Sequence, residues 1–290
     1  MDEDFFEQVD SFGIVELHIQ RVLKLEDQQA KQLLERYKSV RYELRDRLSR
    51  TRAGTFTSQQ LRGVLTQIEA AISAMTTSLK DRMGSAALTL AEAGVDDLLS
   101  ELAKFEDEFT GAVVPINLNA QIAALDTRNF LLTQYESSID AYGSDLISQL
   151  VGNLTQSSLM EASYGEVVTN LDQFFMGEEW KLHRIARTEL HNIYNIGKMN
   201  GMSELVGQEI LPDLKKALMH PMDARTGDDS KYLAVKNPIV PINEPFEYRW
   251  HGKLREFMAP PDRPNDRAIL IPVRDSWGTD QPAGFFPGRR

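Results

Sequence analysis

Three short polar clusters carry the side chains best able to bind or move charge: Arg187-Thr188-Glu189, Asp223-Ala224-Arg225-Thr226, and Asn265 with Arg267. Asp accepts, Arg is a planar fork of five donors, and Thr caps, so this set suits loops tied together by charge-assisted hydrogen bonds. Arg187, Glu189 and Asp223 could instead be the polar site residues of a nucleotidyl- or ADP-ribosyl-transferring enzyme. Geometry separates the two. An enzyme needs these groups converging on an open cleft, whereas a structural network is buried and mutually satisfied.

Other chemistries find little support. The chain has no cysteine, which excludes disulfides, thiolate metal sites and a cysteine nucleophile. His183, Arg187 and His191 follow one another at steps of four on a helical face, but the two histidines are two turns apart, roughly 11–12 Å, too far to share one metal. They read as packing or surface histidines. His220 before Pro221 reads as a loop residue, and His251 after Trp250 sits at a turn into Gly252, neither with a carboxylate at chelating spacing. No phosphate-binding P-loop, G-x-G-x-x-G, G-x-S-x-G or H-E-x-x-H motif occurs. The expectation is no metal, no cofactor and no catalytic residue.

The elements that must position these clusters follow from periodicity. From Ile14 to about Arg50 there is no Pro or Gly, and Leu33, Tyr37, Val40, Leu44 and Leu48 recur at helical steps. Glu43 lies four residues before Arg47, the order that favours an exposed helical ion pair. After a break at Ala53-Gly54-Thr55, Thr57 with Gln60 has the form of a capping box. Leu61, Leu65, Ile68, Ile72, Met75, Leu79, Met83, Ala86 and Leu90 then step by four and three, a heptad seam. If Ser58 to Glu92 is continuous it is roughly 50 Å long. The seam suits either an intramolecular antiparallel bundle or an intermolecular coiled coil.

A register change is expected at Gly94, and Leu98, Leu102, Phe105 and Phe109 resume the stripe. A further helix should run from about Asn119 to Val151, with Leu132, Tyr135, Ile139, Tyr142 and Leu146 on one face. Ser163 and Glu166 start a short helix ending at Gly177, and another runs from about Glu178 to Val206. Beyond Leu211 lie 11 of the 12 prolines, so the last third should be turns and short strands, with Ile239-Val240, Phe246–Trp250 and Ile269–Val273 the β-prone pieces. The predicted fold class is mainly α: an elongated antiparallel helical bundle or coiled-coil part over 1–176, a small α+β C-terminal domain over 177–278, and a flexible tail over 279–290.

Charge is uneven. Residues 1–80, 81–180 and 181–290 carry net charges of 0, −14 and +3, so the overall −11 argues against nucleic-acid binding by the whole surface and leaves only the C-terminal third compatible with phosphate. Lys215, Lys216, Arg255, Arg263, Arg267 and Arg274 are the candidates to face DNA there. The acidic stretch reads as a solvated face. No run approaches the roughly 18 apolar residues of a membrane span, and Met1-Asp2-Glu3-Asp4 is unlike the basic start of a signal peptide, so an aqueous compartment and no membrane partner are expected.

Residues 184–201 read RIARTELHNIYNIGKMNG, residues 215–233 read KKALMHPMDARTGDDSKYL, and PNDRAILIPV follows the proline-rich region. In this order the chain, over roughly residues 178–275, resembles the phage head-morphogenesis family typified by Mu F-like minor head proteins. That family has an Arg-Thr-Glu helix, an Asp-x-Arg-Thr turn, a loop ending in His-Pro-Asn-Cys-Arg-Cys, and a closing strand. Arg187, Thr188 and Glu189 match the first motif, Asp223, Arg225 and Thr226 the second, and Asn265 and Arg267 the third. Both cysteine positions are replaced, by Asp266 and Ala268, and Ser230 stands where the family commonly has histidine. Those departures remove any metal or redox role and leave the polar scaffold. The resemblance implies a structural protein of the phage head, found in the virion and in host cytoplasm during assembly. Its expected partners are the portal protein, the major capsid protein and, weakly, packaged double-stranded DNA. It would act in head assembly, DNA packaging or DNA release. Some proteins that share this domain carry fused toxin-like modules such as ADP-ribosyltransferases, but Thr279 to Arg290 is too short for one and reads as a docking peptide or a disordered terminus. A transient helical scaffold is a further alternative.

Overall fold

The computed structural model describes residues 11–49, 58–110, 120–160, 162–221, 223–236, 238–264 and 266–277. The chain is mainly helical, with a small C-terminal region of antiparallel sheets. Four long helices come first: α1 (Ser11–Ser49), α2 (Ser58–Thr110), α3 (Ala120–Leu159) and α4 (Tyr164–Gly207). After them come β1 (Leu214–Met219), α5 (Asp228–Lys236), β2 (Val240–Pro241), β3 (Phe246–Trp250), β4 (Lys253–Phe257) and β5 (Ile269–Arg274). No helix among the described residues is long and apolar enough to cross a membrane. The Thr57–Gln60 box and the tail lie outside the described residues, as do the side chains of Leu44, Arg47, Leu48, Leu61, Phe109, Leu132 and Tyr135.

The chain packs as two units. One comprises residues 28–86 and 132–186, the other 1–27, 87–131 and 187–290. The boundary expected at 176/177 falls instead inside α4, because Gly177 does not stop the helix. The Ser163–Glu166 box forms as expected, with the Ser163 amide donating to Glu166 Oε2 (2.8 Å) and the Glu166 amide donating to Ser163 Oγ (3.3 Å). From that cap the helix continues through residue 177, carried by buried Phe175 before it and Leu182 after it. A helical glycine costs only about 1 kcal/mol, less than such packing supplies.

In the unit of residues 28–86 and 132–186, segments of all four helices pack side by side. The heptad seam is buried within the chain: Ile68, Ile72, Met75, Leu79 and Met83 are all 2% exposed or less. α1 and α4 run antiparallel, registered by Tyr37 Oη donating to the Phe175 carbonyl (2.8 Å) and by the two-pronged Arg41–Asp172 pair (2.8 and 2.9 Å). Lys80 and Asp140 (2.6 Å) register α2 against α3.

In the other unit, α2 continues through Gly94 as one helix. The glycine serves close approach. A Cβ at 94 would collide with the Tyr194 carbonyl oxygen, and one at Gly197 would lie 2.6 Å from the Ala91 carbonyl oxygen. α2 and α4 therefore cross backbone to backbone. Beside them lies a three-stranded sheet of order β2-β1-β5, with β1 antiparallel to β5 over Leu214↔Arg274 to Met219↔Ile269. Pro241 and Pro272 occupy the two outer strands, where a missing amide can be tolerated. β3 and β4 form a hairpin through His251 and Gly252, both at positive φ (48° and 76°), the backbone a two-residue turn needs.

Candidate functional site

All of the described motif residues lie in the unit of residues 1–27, 87–131 and 187–290. α4 presents Arg187 and Thr188 one turn before His191, and the Asp-Ala-Arg-Thr segment forms a turn between β1 and α5. That turn is self-capped. The Asp223 amide donates to Thr226 Oγ (3.1 Å), the Arg225 amide donates to Asp223 Oδ1 (2.9 Å), and Thr226 Oγ donates to the Pro221 carbonyl. Arg267, just before β5, closes on the Asp223 carboxylate through Nη1 (2.8 Å) and Nη2 (2.5 Å). These bonds hold the Asp223 carboxyl well below the usual carboxylate range, with the Arg225 amide adding to the effect. Asn265 lies outside the described residues.

Arg225 differs from expectation. Its guanidinium is 71% exposed and reaches Asp223 only at 3.5 Å, so Arg267 ties the loop. Arg187, Thr188, His191, Arg225, Arg267, Glu26 and Asp266 line a pocket of about 180 Å³, and Glu189 stands outside it. Arg187 Nε is buried there without a hydrogen-bond partner. A second pocket, about 170 Å³, shares Arg225, Asp266 and Arg267 and adds His220, Thr226, Ser230 and Arg263. His220 is 2% exposed, neither ring nitrogen has a partner, and burial lowers its pKa to about 4.

The cations expected to face DNA are engaged within the fold. Lys216 is a correction: it is fully buried, with Nζ donating to the Met258 carbonyl (2.8 Å) and lying 5.2 Å from the centre of the Phe246 ring, and burial lowers its pKa to about 8. It sits on the inner strand β1, whose packing leaves it no route to solvent. Lys215 pairs with Asp275 (2.7 Å), and Arg255 with Asp262 (3.5 Å). Arg263 binds Asp229 (2.7 Å), Asp262 (2.5 Å) and Ser230. Arg274 binds Asp213 (2.8 Å) and Glu106.

Two buried polar groups around α4 were not foreseen. His191 Nδ1 meets Glu26 (2.6 Å) and Nε2 meets the Ala268 carbonyl (2.6 Å), so with two acceptors the ring favours the doubly protonated form. Burial, the largest influence, lowers its pKa, but Glu26, the Ala268 carbonyl and Asp266 together outweigh it and the net shift is upward. Asn195 donates to the same carbonyl (3.3 Å) and accepts from the Leu270 amide (2.8 Å), so α4 seats the start of β5. Nearby, Lys198 binds both oxygens of Glu101 (2.6 Å each), His18 Nδ1 meets Glu101 (2.8 Å), and Tyr194 Oη donates to Asp97 (2.7 Å). The signal in the sequence was the run His191, Tyr194, Asn195 and Lys198, which puts polar groups on one helical face beside Leu190 and Ile193.

Among the described residues, no three His, Asp or Glu side chains gather closely enough to hold a metal ion. Comparison of the chain with family models, curated proteins and solved structures finds no match.

Proposed function

We propose that this protein is a structural minor head protein of a tailed bacteriophage, associated with the portal vertex and acting in head assembly, DNA packaging or DNA release. One observation carries the reading. The three motifs of the head-morphogenesis resemblance, separated by tens of residues, converge: Arg187 and Thr188, the Asp223–Thr226 turn and Arg267 surround one small pocket, and Asp223 and Arg267 clasp each other. This is the loop-tying role those residue types suit. The portal is expected to bind chiefly through the helical part. Any DNA contact would be weak and strongly salt-dependent, since Lys215, Arg255, Arg263 and Arg274 are already paired with carboxylates, and would not involve Lys216, which is buried.

The test is co-purification of the full-length protein with the portal protein of the same phage, together with mass spectrometry of purified virions. Recovery with the portal and presence in particles supports the proposal. Absence from finished particles would favour the transient scaffold.

The transferase alternative keeps one specific observation in its favour, the cleft that Arg187 and Arg225 face. It predicts transfer to protein of labelled ADP-ribose from a nicotinamide dinucleotide with release of nicotinamide, or of a labelled nucleotidyl group from a nucleoside triphosphate with release of pyrophosphate, abolished in Arg187→Ala.

A further inference from the structure

Most charge around the motif pocket is internally matched. Arg267 is held by Asp223, His191 by Glu26, and Asp266 accepts the amides of Asp262 and Ala268 (3.3 Å each) while its charge acts on Arg263. Two cations remain without a close carboxylate of their own. Arg187 has a buried Nε that lacks an acceptor, and Arg225 lines the pocket with an exposed guanidinium whose one carboxylate contact, at 3.5 Å, is to an Asp223 already bound at both oxygens. Both guanidiniums line the pocket with donor capacity that the protein does not use, so an oxygen ligand there would supply acceptors for their remaining N–H groups.

We propose that this pocket binds a phosphate-type oxyanion, with Arg187 and Arg225 as its principal donors and Thr188 on its wall. The donors approach from two separate elements, helix α4 and the turn. A planar carboxylate is satisfied by one guanidinium fork, as Asp223 is by Arg267, whereas a tetrahedral dianion takes donors from several directions. Size limits the ligand as well. About 180 Å³ is well below the roughly 300–1,000 Å³ of pockets that enclose a whole small molecule, so one phosphate group enters and any substituent stays outside. The site does not depend on where the protein resides.

Phosphate titrated into the full-length protein to about 20 mM should raise Tm by about 3 °C or more over chloride at equal ionic strength, with acetate behaving as chloride. Arg225→Ala, at an exposed position, should keep the Tm measured in chloride yet weaken phosphate binding by calorimetry about tenfold, and Arg187→Gln should weaken it likewise. No rise with phosphate, an equal rise with acetate, or full retention of binding by both variants overturns the proposal. Competition identifies the source. Displacement by a 5′-phosphorylated oligonucleotide but not by its unphosphorylated counterpart assigns the group to a nucleic-acid end, and displacement by neither assigns it to free phosphate or a small phosphate ester.

Discussion

At the residue scale, the arginine that ties the motif together is the one whose carboxylate has no other comparable partner. Arg267→Ala leaves Asp223 with the Arg225 amide, a long contact from the Thr226 hydroxyl (3.4 Å) and a distant guanidinium, and because Asp223 is partly exposed it can rehydrate. The expected loss is about 1–2 kcal/mol. Arg225→Ala should change stability by less than about 0.5 kcal/mol, since an exposed 3.5 Å pair contributes little. Urea unfolding of the two variants measures the difference, and equal losses would contradict the assignment. His191 makes a pH prediction. Its folded pKa lies above the ordinary 6.5, so its stabilisation is fully present below that pH and is lost as pH rises through the folded value. Between about pH 6 and pH 9, wild type should therefore lose more stability than Glu26→Gln with His191→Gln, whose uncharged pair does not titrate. Breaking the pair with His191→Ala alone strands Glu26, 1% exposed, at a cost of about 3–5 kcal/mol.

At the element scale, glycines inside helices divide by what surrounds them. Gly177 sits mid-helix in α4 with open space where a Cβ would stand, so Gly177→Ala should stabilise by about 0.5–1 kcal/mol through a less flexible unfolded chain. Gly94→Ala drives a methyl into the Tyr194 carbonyl, a backbone atom that cannot swing aside, and should destabilise by about 1–3 kcal/mol or more. Thermal unfolding of the two variants should shift in opposite directions. β1 is the inner strand of its sheet, although LKKALM carries no alternating pattern. Its residues are buried almost continuously, with Lys216 solvated by a carbonyl and a ring instead of water. The α5 segment, with Asp228 and Asp229 in its first turn and Lys236 in its last, has the charge order that suits a helix, but at nine residues it depends on Leu233 and Ala234 being buried.

At the scale of the whole molecule, a C-terminal fragment beginning at residue 177 should not fold. His191, Tyr194, Lys198 and Arg274 find their carboxylates in Glu26, Asp97, Glu101 and Glu106, all of which lie before residue 110. Circular dichroism and amide exchange of residues 177–290 alone should show no cooperative transition, and a protected fragment would contradict this. Periodicity, capping and turn chemistry act over a few residues, so α1, α2, α3, the heptad stripe, the α4 cap, the His251-Gly252 turn and strands β3 and β5 were legible in the sequence. The sequence did not reveal that α4 runs unbroken past Gly177, that Gly94 marks a helix crossing, or that Lys216 faces inward. Those outcomes depend on which distant surfaces meet. The motif shows the same division. Its residue types announced charge-assisted ties, but only the tertiary structure paired Asp223 with Arg267 and left Arg225 facing a pocket, because a carboxylate's partner is chosen by position among many arginines of identical chemistry.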